Sequence, residues 1–319
     1  MDADSGDAAP VLTVTPNPAI DKAVEAPGFA PGRHVRVKVL RTTPAGKGIN
    51  VARGIVALGG GAEACGLIGT EEKSRFASLL EKEGICDRLV SVDGGTRTNT
   101  TILDPEAHTT THLREEGFHV SRDDIQRLQA AVLGRVSSLS KPCVAFCGSL
   151  PPGLSPSAFV SMLDAVRQAG GRVVVDASGE ALQEAVRSGA VDVLKPNLEE
   201  LGQCLGRDVD AEAAPDAARE LLDRVEHVLL TLGKGGAYHI AADRTVGGRC
   251  AVDREDLVNT VGAGDAFLAG WLYARSRGSG AEEALRWAVA AGSASVTGRG
   301  PVGYTAESVK QMQACYEEL

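Results

Sequence analysis

The stretch Asn259-Thr-Val-Gly-Ala-Gly-Asp-Ala-Phe-Leu-Ala-Gly270 places a glycine turn and a carboxylate at the start of an apolar helix. The backbone N–H groups of Gly262, Ala263 and Gly264 are expected to point out of the helix N-terminus. Unpaired donors and the helix dipole favour an anion there, such as a phosphoryl group in transfer. Asp265 would lie beside this anion hole and could accept the proton of an attacking hydroxyl. A plain helix start with an acidic first turn explains the local pattern equally well.

Neither of the two most familiar phosphate-binding loops occurs in the sequence. A Walker A loop requires Gly-Lys followed by Ser or Thr, but Gly46-Lys47 and Gly233-Lys234 are both followed by glycine. A dinucleotide fingerprint requires a third glycine, and Phe267 occupies that position after Gly262-Ala-Gly264. A phosphoryl group would therefore be bound by a different arrangement.

The composition favours an α/β protein that acts on a small molecule. Of the 319 residues, 43% are hydrophobic but only 4% are aromatic, and a core of Val, Leu, Ile and Ala suits a parallel sheet covered by helices. The net charge of −9, without a long basic stripe, argues against nucleic-acid binding. Substrate phosphates would then need a local basic pocket.

The cysteines indicate a reducing compartment. The seven cysteines show no paired CxxC spacing, and several lie in apolar runs such as Pro142-Cys-Val-Ala-Phe-Cys147. The sequence shows neither a secretory leader nor an apolar run of about 18 residues, so we expect a cytoplasmic protein without a membrane partner. Residues 1–10 are small, polar and acidic and are expected to form a disordered tail.

Strands and helices alternate regularly from Ser121 onward. This order indicates βαβ units and a parallel sheet. Strands are expected at 143–147, 172–176, 191–194 and 227–232, and helices at 121–140, 156–170, 180–188, 281–296 and 306–319. Before Ser121 we expect strands at 11–15 and 64–69 and helices at 49–58 and 74–83.

Two groups of exposed strands are expected to form a lid. Residues 33–43 alternate between charged and apolar side chains, the period of a half-exposed strand. Residues 98–103 and 109–113 are rich in threonine and have hairpin-like spacing. No internal repeat or linker divides the sequence. We therefore expect a single domain at 11–319, with lid strands from about 16–43 and 94–118.

Polar and glycine-rich loops follow successive strands of the expected sheet. In an open parallel sheet, ligands bind beyond the carboxyl ends of the strands. Each loop alone could be an ordinary turn or helix cap. Four of them ahead of an anion-hole helix favour a nucleotide and phosphoryl site, and they are Gly148-Ser-Leu-Pro-Pro-Gly153, Asp176-Ala-Ser-Gly179, Lys195-Pro-Asn-Leu-Glu-Glu200 and Thr231-Leu-Gly-Lys-Gly-Gly236.

The chain resembles the PfkB, or ribokinase-like, carbohydrate kinase family. Ala45-Gly-Lys-Gly-Ile-Asn-Val-Ala-Arg53 is similar to the first signature of that family, and the stretch from Asn259 to Phe267 is similar to the second. The similarity extends from about Val11 to the C-terminus. It implies a three-layer α/β/α fold with a central, mostly parallel sheet and a small β-sheet lid. It also implies transfer of the ATP γ-phosphoryl group to a sugar hydroxyl.

The resemblance assigns roles to individual residues. Asp265 would be the catalytic base, and the backbone of 262–264 would be the anion hole. Asn197 and Glu200 resemble an Asn-x-x-Glu motif, in which Glu200 would organise Mg²⁺ through water. The remaining nucleotide contacts would come from Lys195, Thr231, Gly233 and Gly236.

Within the family, Thr15-Pro-Asn-Pro-Ala-Ile-Asp21 resembles the phosphosugar branch. Arg97 matches an arginine that members of this branch place on the lid, and a guanidinium suits a substrate phosphate because it presents several donors in a fixed fork. With Lys47 it would form the local basic pocket. An exposed arginine on a hairpin strand explains Arg97 nearly as well. The other expected substrate contacts are Asp21, Gly46, Asn50 and Ser149.

We therefore expect ATP-dependent phosphorylation of a ketohexose phosphate at a free primary hydroxyl. The favoured reaction converts fructose 1-phosphate to fructose 1,6-bisphosphate. A tagatose-6-phosphate kinase is the next alternative, followed by a 6-phosphofructokinase or a free-sugar kinase. Lys47 disfavours 6-phosphofructokinase, because enzymes of that type in this family tend to have glycine there. A catalytically silent sugar or nucleotide sensor is the non-enzymatic alternative. Exposed lid strands would leave unpaired edges and apolar surface, which predicts a homodimer through the lids.

Overall fold

The computed structural model describes residues 9–258, 260–298 and 302–319. The predicted disordered tail falls mostly on residues 1–8, which lie outside the described residues, as does Asn259 of the glycine-rich stretch. The strands, in chain order, are β1 (Val11–Thr15), β2 (Ala19–Glu25), β3 (Lys38–Ala45), β4 (Ala62–Gly69), β5 (Cys86–Val92), β6 (Thr98–Asp104), β7 (Thr109–Leu113), β8 (Cys143–Cys147), β9 (Arg172–Asp176), β10 (Val191–Leu194), β11 (Val225–Thr231), β12 (Ala237–Ala241), β13 (Thr245–Cys250) and β14 (Tyr316–Glu318). The helices are α1 (Lys47–Ala57), α2 (Lys73–Lys82), α3 (Arg122–Val136), α4 (Pro156–Gln168), α5 (Gly179–Ser188), α6 (Leu198–Leu205), α7 (Ala214–Ala218), α8 (Ala263–Ser276), α9 (Ala281–Thr297) and α10 (Ala306–Gln313).

A large sheet forms the centre of the protein. Within the described residues it has ten strands in the order β14-β13-β12-β11-β10-β9-β8-β1-β4-β5. Every neighbouring pair from β11 to β5 is parallel. The pairs from β11 to β14 are antiparallel. The sheet is therefore mostly parallel, as the alternation of strands and helices predicted.

Helices cover both faces of this sheet, because successive strand residues point to opposite sides. In β9, Val173 and Val175 join the apolar cluster that contains residues of α3 to α7. Val174, between them, joins the cluster that contains residues of α1, α2, α8 and α9. This is the three-layer α/β/α arrangement that the resemblance implied. None of the described helices has the length and apolar content needed to cross a membrane.

A second sheet has the order β3-β2-β6-β7. Strand β2 pairs antiparallel with β3 and parallel with β6, and β7 pairs antiparallel with β6. The strand expected at 33–43 begins only at Lys38, because its partner β2 ends at Glu25, opposite Lys38, and leaves 33–37 without a strand to pair with. Val39 and Leu113 are each about half exposed on this sheet, as is Val37 just before β3.

The C-terminal segment differs from the expected helix over 306–319. Helix α10 ends at Gln313, and the chain returns as β14 along β13. The reason lies in two glycines of β13. The Tyr316 ring occupies the space where Gly248 would carry a side chain, and the Tyr316 hydroxyl donates to the Gly247 carbonyl at 3.3 Å.

Candidate active site

The start of α8 forms a cluster of backbone donors near the end of β9. Gly262 is the N-cap and has φ 90° and ψ −3°, a left-handed conformation that glycine adopts without strain. In the described part of the chain, the Ala263 N–H has only a long hydrogen bond of 3.4 Å to the Thr260 carbonyl, and the Gly264 N–H has no acceptor. Such donors at a helix N-terminus can bind an anion.

Asp265, in the first turn of α8, is buried. Its Oδ2 accepts a hydrogen bond of 2.9 Å from Asn50 Nδ2. Burial, and after it the negative charge of Asp176, raise the pKa of Asp265 to about 6, while Asn50 and the ammonium groups of Lys47 and Lys195 lower this pKa. A carboxylate with this pKa is ionised at neutral pH and still accepts a proton readily, as a general base must.

A buried arginine orients Asn50. Arg53 is 4% exposed, its Nε donates to Glu83 Oε2 at 2.7 Å, and its Nη1 donates to Asn50 Oδ1 at 3.3 Å. Asn50 and Arg53 can meet because residues three apart lie on the same face of α1. With its oxygen facing Arg53, the Asn50 amide turns its NH₂ group toward Asp265. A chain of hydrogen bonds thus leads from Glu83 to the candidate base.

Two lysines share one carboxylate at the end of β9. Lys47 Nζ and Lys195 Nζ lie 3.2 Å and 3.3 Å from Asp176 Oδ1. Asp176 is fully buried, and its Oδ2 has no hydrogen-bond partner in the described part of the protein. A Cβ atom on Gly264 would lie 3.4 Å from Lys195 Nζ, so this ammonium group stands next to the donors of α8.

The start of α6 lies close to the same cluster. Asn197 and Glu200 form a capping box, in which Asn197 Oδ1 accepts from the Glu200 N–H and Glu200 Oε2 accepts from the Asn197 N–H, both at 2.9 Å. Asn197 also forms an isolated parallel bridge with Thr231, the last residue of β11. The charge of Asp176 raises the pKa of Lys47 most, and Glu200 also contributes to this shift.

A turn of bare backbone follows β11. The Thr231 N–H and hydroxyl both donate to the Pro196 carbonyl, at 3.0 Å and 3.4 Å. Gly233 and Gly236 have φ of 57° and 93°. A Cβ atom on Gly236 would lie 2.6 Å from the Gly248 carbonyl oxygen, so a side chain does not fit there. The turn directly follows Thr231, which bonds to Pro196 next to the start of α6.

Arg97 lies in a pocket of about 520 Å³ between the smaller sheet and the loop after β8. Its half-buried guanidinium donates to the Ser149 hydroxyl at 3.2 Å and to three backbone carbonyl oxygens, those of Asn17 at 2.8 Å, Glu115 at 3.1 Å and Pro18 at 3.2 Å. It has no carboxylate ion-pair partner among the described residues. Burial, followed by the charge of Arg114, lowers the pKa of Arg97, against the opposing charges of Asp21 and Glu115. Arg97 is therefore not a solvated surface arginine.

Asp21 lies on β2, and Gly46 lies between β3 and α1. Asp21 is opposite Asn99 on β6, and Asn99 Nδ2 donates to Asp21 Oδ1 at 3.2 Å. Gly46 has φ 148° and begins α1, where a Cβ atom would lie 2.7 Å from Thr15 Cγ2. Close approach to β1 therefore requires glycine and positions the first turn of α1, which carries Lys47 and Asn50.

The site residues expected from the sequence form two groups joined by one loop. The first surrounds Asp176 and comprises Lys47, Asn50, Lys195, Glu200 and Asp265. The second comprises Asp21, Arg97 and Ser149. The loop after β8 connects them, because Ser149 follows Gly148, whose Cβ position would be 3.7 Å from Lys47 Cβ. Within the described residues, no hydrogen bond or ion pair joins Asp21 or the turn at 233–236 to Asp265.

Sequence reasoning missed four residues that organise these groups. Asp176 was part of an expected site loop but received no role of its own. Arg53 ended the first family signature without a role, and Glu83 carried no local signal, because the two meet only when α1 packs near α2. The buried Asn17, whose amide donates to the Glu116 carbonyl at 2.9 Å, was interpreted as part of a turn.

Comparison with known proteins shows the family. The family described as pfkB family carbohydrate kinase matches residues 15–306. A 1-phosphofructokinase of Rhodobacter capsulatus is 35% identical over 282 residues, which are 88% of each chain. The ATP-dependent 6-phosphofructokinase isozyme 2 of Escherichia coli (strain K12) is 29% identical over 293 residues, or 91% of this chain and 93% of the relative.

A solved structure has the same fold over nearly the whole chain. The tetrameric inhibited form of phosphofructokinase-2 from Escherichia coli aligns with a TM-score of 0.87 and 27% identity, covering 96% of this chain and 98% of that chain. The matched family segment includes both the Gly46–Asn50 turn and the start of α8. The chain therefore belongs to the pfkB family of carbohydrate kinases.

Proposed function

We propose that this kinase transfers the γ-phosphoryl group of ATP to the free primary hydroxyl of a ketohexose phosphate, and that fructose 1-phosphate is its main substrate. The product would be fructose 1,6-bisphosphate. The 35% identical relative named 1-phosphofructokinase supports this choice. The observation that carries it is Arg97, a half-buried guanidinium without a carboxylate partner in the described chain, in a pocket that the loop after β8 also lines.

Asp265 is the base in this proposal. It accepts the hydroxyl proton while the hydroxyl oxygen attacks the γ-phosphorus, and the bond to the β–γ bridging oxygen breaks with its electrons passing to ADP. The N–H groups of Ala263 and Gly264 and the ammonium of Lys195 stand where negative charge on the transferred group would need stabilisation. Asn50 keeps the carboxylate oriented through its 2.9 Å hydrogen bond.

Glu200 is the residue we propose to hold Mg²⁺, through water. Mg²⁺ commonly keeps several waters and binds substrate phosphates with only one or two carboxylates, and when bound it neutralises phosphate charge. This donor set fits: Glu200 is 8% exposed near Lys47, while the described residues contain no group of three side chains that would hold a metal directly. The nucleotide would extend along Asn197, Thr231 and the turn at 233–236.

The other kinase activities differ in the sugar they accept. Tagatose 6-phosphate presents a similar phosphate and remains the second candidate. A 6-phosphofructokinase is the third, since one relative bears that name, but Lys47 disfavours it. A free sugar would leave the Arg97 guanidinium without a phosphate. A silent sensor has no need of a base whose pKa is raised to about 6.

The smaller sheet is proposed to act as a lid and as a dimer interface. Val39 and Leu40 on β3 and Leu113 on β7 are 44–53% exposed, and a second copy would cover such apolar positions. We propose that residues 11–319 act as one kinase domain with this lid, and that a homodimer forms through two lids. The seven free cysteines support a cytoplasmic location.

The proposed function is tested by kcat/KM with MgATP for five acceptors, namely fructose 1-phosphate, fructose 6-phosphate, tagatose 6-phosphate, fructose and ribose. Fructose 1-phosphate should give the highest value. Arg97→Ala should lower kcat/KM for phosphosugars by about 10- to 100-fold, as expected for a lost charged hydrogen bond, and leave the value for fructose unchanged. Arg97→Lys should give an intermediate kcat/KM for phosphosugars, because it keeps the positive charge but loses the forked set of guanidinium donors.

Arg122→Ala is the matched control, since Arg122 is an exposed arginine on α3 that does not line the Arg97 pocket. It should behave like the wild type with all five acceptors. A preference for a free sugar, or an Arg97→Ala variant with unchanged phosphosugar kinetics, would reject the phosphosugar proposal and leave the family assignment intact.

A further inference from the structure

A second cavity, of about 630 Å³, lies at the opposite edge of the large sheet. It is lined by Val11, Cys143 and Arg172, the first residues of β1, β8 and β9, and by Arg275 and Ser276 at the end of α8. Its volume falls within the roughly 300–1,000 Å³ that small-molecule sites occupy. No role in the kinase reaction has been assigned to any of these residues.

The cavity is separate from the catalytic cluster, although two elements reach both. Strand β9 runs from Arg172 in the cavity to Asp176 in the cluster, and α8 runs from Asp265 to Arg275. Strand and helix rises of about 3.3 Å and 1.5 Å per residue place the two ends roughly 13–15 Å apart. A ligand in the cavity would therefore not compete directly with ATP or sugar.

The charge of the cavity is the reverse of that of the whole protein. Lys141, Arg172 and Arg275 line it, and none of the described lining residues is Asp or Glu. The chain has 33 Lys and Arg against 42 Asp and Glu, with a net charge of −9. The charge of the cavity lining thus differs from the net charge of the protein. The three cationic side chains create a local positive potential that attracts anions.

Arg275 in particular lacks an anionic partner. Its Nη1 donates to the Ser279 carbonyl at 2.6 Å, and its guanidinium lies 6.0 Å from the centre of the Trp271 ring, but no carboxylate in the described chain pairs with it. Burial and then the charge of Arg172 lower the pKa of Arg275. Among the described residues, Arg172 forms an ion pair with the exposed Glu226, at 3.1 Å. The repulsion between the two guanidiniums would be relieved by an anion between them.

The inner wall of the cavity is apolar. Val174 and Val193 line it from the sheet, and Trp271 and Leu272 line it from α8. These four side chains are only 1–3% exposed, so a ligand would contact mainly the cationic part of the lining. We propose that this cavity binds a small anion whose carboxylate, phosphate or sulfonate group lies between Arg172 and Arg275.

The test uses 1-anilinonaphthalene-8-sulfonate as the probe and N-phenyl-1-naphthylamine as its uncharged counterpart. Binding is followed by probe fluorescence in full-length protein saturated with a non-hydrolysable ATP analogue and Mg²⁺. The sulfonate should bind despite the occupied nucleotide site. The Arg172→Gln/Arg275→Gln variant should weaken sulfonate binding by about tenfold or more and leave naphthylamine binding unchanged.

Arg277→Gln is the matched control, because Arg277 lies one residue beyond α8 and over the Tyr273 ring, away from the cavity. It should bind the sulfonate like the wild type. If the double variant does not fold, Arg275→Gln alone, which removes one hydrogen bond to the backbone, serves instead. Equal sulfonate affinity in wild type and cavity variants, an equal loss for the uncharged probe, or displacement by the ATP analogue would each overturn the proposal.

Discussion

Asn50 donates a hydrogen bond of 2.9 Å to Asp265, and this bond opposes the rise in the Asp265 pKa that burial and the charge of Asp176 cause. The bond is favourable only while the carboxylate is ionised. Asn50 therefore influences the protonation state of the candidate base in addition to any contact with the sugar. The pH dependence of the reaction should report this relationship.

We expect kcat/KM for the sugar to fall as the pH drops below about 6, because protonated Asp265 cannot accept a proton. Asn50→Ala should move this acidic limb to higher pH, since the variant removes an interaction that favours the ionised form. Initial rates from acidic to alkaline pH at saturating MgATP measure both effects. An acidic limb that stays in place in Asn50→Ala would show that the hydrogen bond does not tune the base.

Asp265→Asn should reduce turnover by about 10²- to 10⁴-fold and keep ATP binding. The same substitution should not lower the free energy of unfolding at neutral pH. The pKa of Asp265 in the folded protein, about 6, exceeds the ordinary value of 3.8, so its contribution to stability is present below about pH 4 and is lost as the pH rises through 6. At neutral pH the variant should therefore be at least as stable as the wild type.

Urea denaturation at pH 5 and at pH 7.5 tests this stability difference between Asp265→Asn and the wild type. Relative to the wild type, the variant should have a higher free energy of unfolding at pH 7.5 than at pH 5. Near-normal turnover would remove Asp265 from the role of base, and a large loss of stability at neutral pH would contradict the raised pKa.

Glu83→Gln should lower kcat by about tenfold and shift the acidic limb in the same direction as Asn50→Ala. The reason is positional, because Glu83 holds Arg53 at 2.7 Å and Arg53 sets the orientation of the Asn50 amide. Arg53→Ala should in addition lose about 1.5–3 kcal/mol of stability, since it removes charged hydrogen bonds but leaves behind a Glu83 that is partly exposed. Steady-state kinetics and denaturation separate the two effects.

Glu81→Gln provides the control for this chain of hydrogen bonds. Glu81 is exposed on α2, two residues before Glu83. It should match the wild type in kcat, pH profile and stability. If Glu83→Gln lowered stability alone, with unchanged kcat and pH profile, the arginine would be structural only.

Val39→Lys should dissociate the proposed homodimer, because it places a charge on a half-exposed apolar position of the smaller sheet. Val39→Thr, which nearly keeps the shape of the side chain, should remain dimeric. Light scattering at micromolar concentration distinguishes the two. A wild-type monomer under the same conditions would contradict the lid interface.

The fold was predictable where a local pattern and a long-range constraint coincide. Val173, Val174 and Val175 lie between turn residues in a regular strand and helix alternation, and this predicted a parallel strand covered on both faces. The helix expected over 306–319 ends at Gln313. A composition typical of helices continues beyond that residue, but Tyr316 packs against a glycine of β13 and the chain forms a strand there. That glycine is nearly 70 residues away in sequence, and no local pattern points to it.

The candidate site was likewise only partly predictable from the sequence. The backbone donors at 262–264 and the adjacent Asp265 form one continuous stretch, so the sequence predicted their proximity. Asp176 receives one lysine from α1 and another from the end of β10, and these meet only in the assembled sheet. A shared carboxylate of this kind looks like an ordinary helix cap until the tertiary structure is known.

The short final strand also affects the solubility of the chain. Strand β14 covers the antiparallel edge of the large sheet, and it offers other molecules only three residues, two of which are glutamates. Without it, β13 would present its backbone, including Gly247 and Gly248, as an open edge on which another strand could add. Residues 316–318 thus protect the sheet against edge-to-edge aggregation, and substitutions that remove β14 would expose β13.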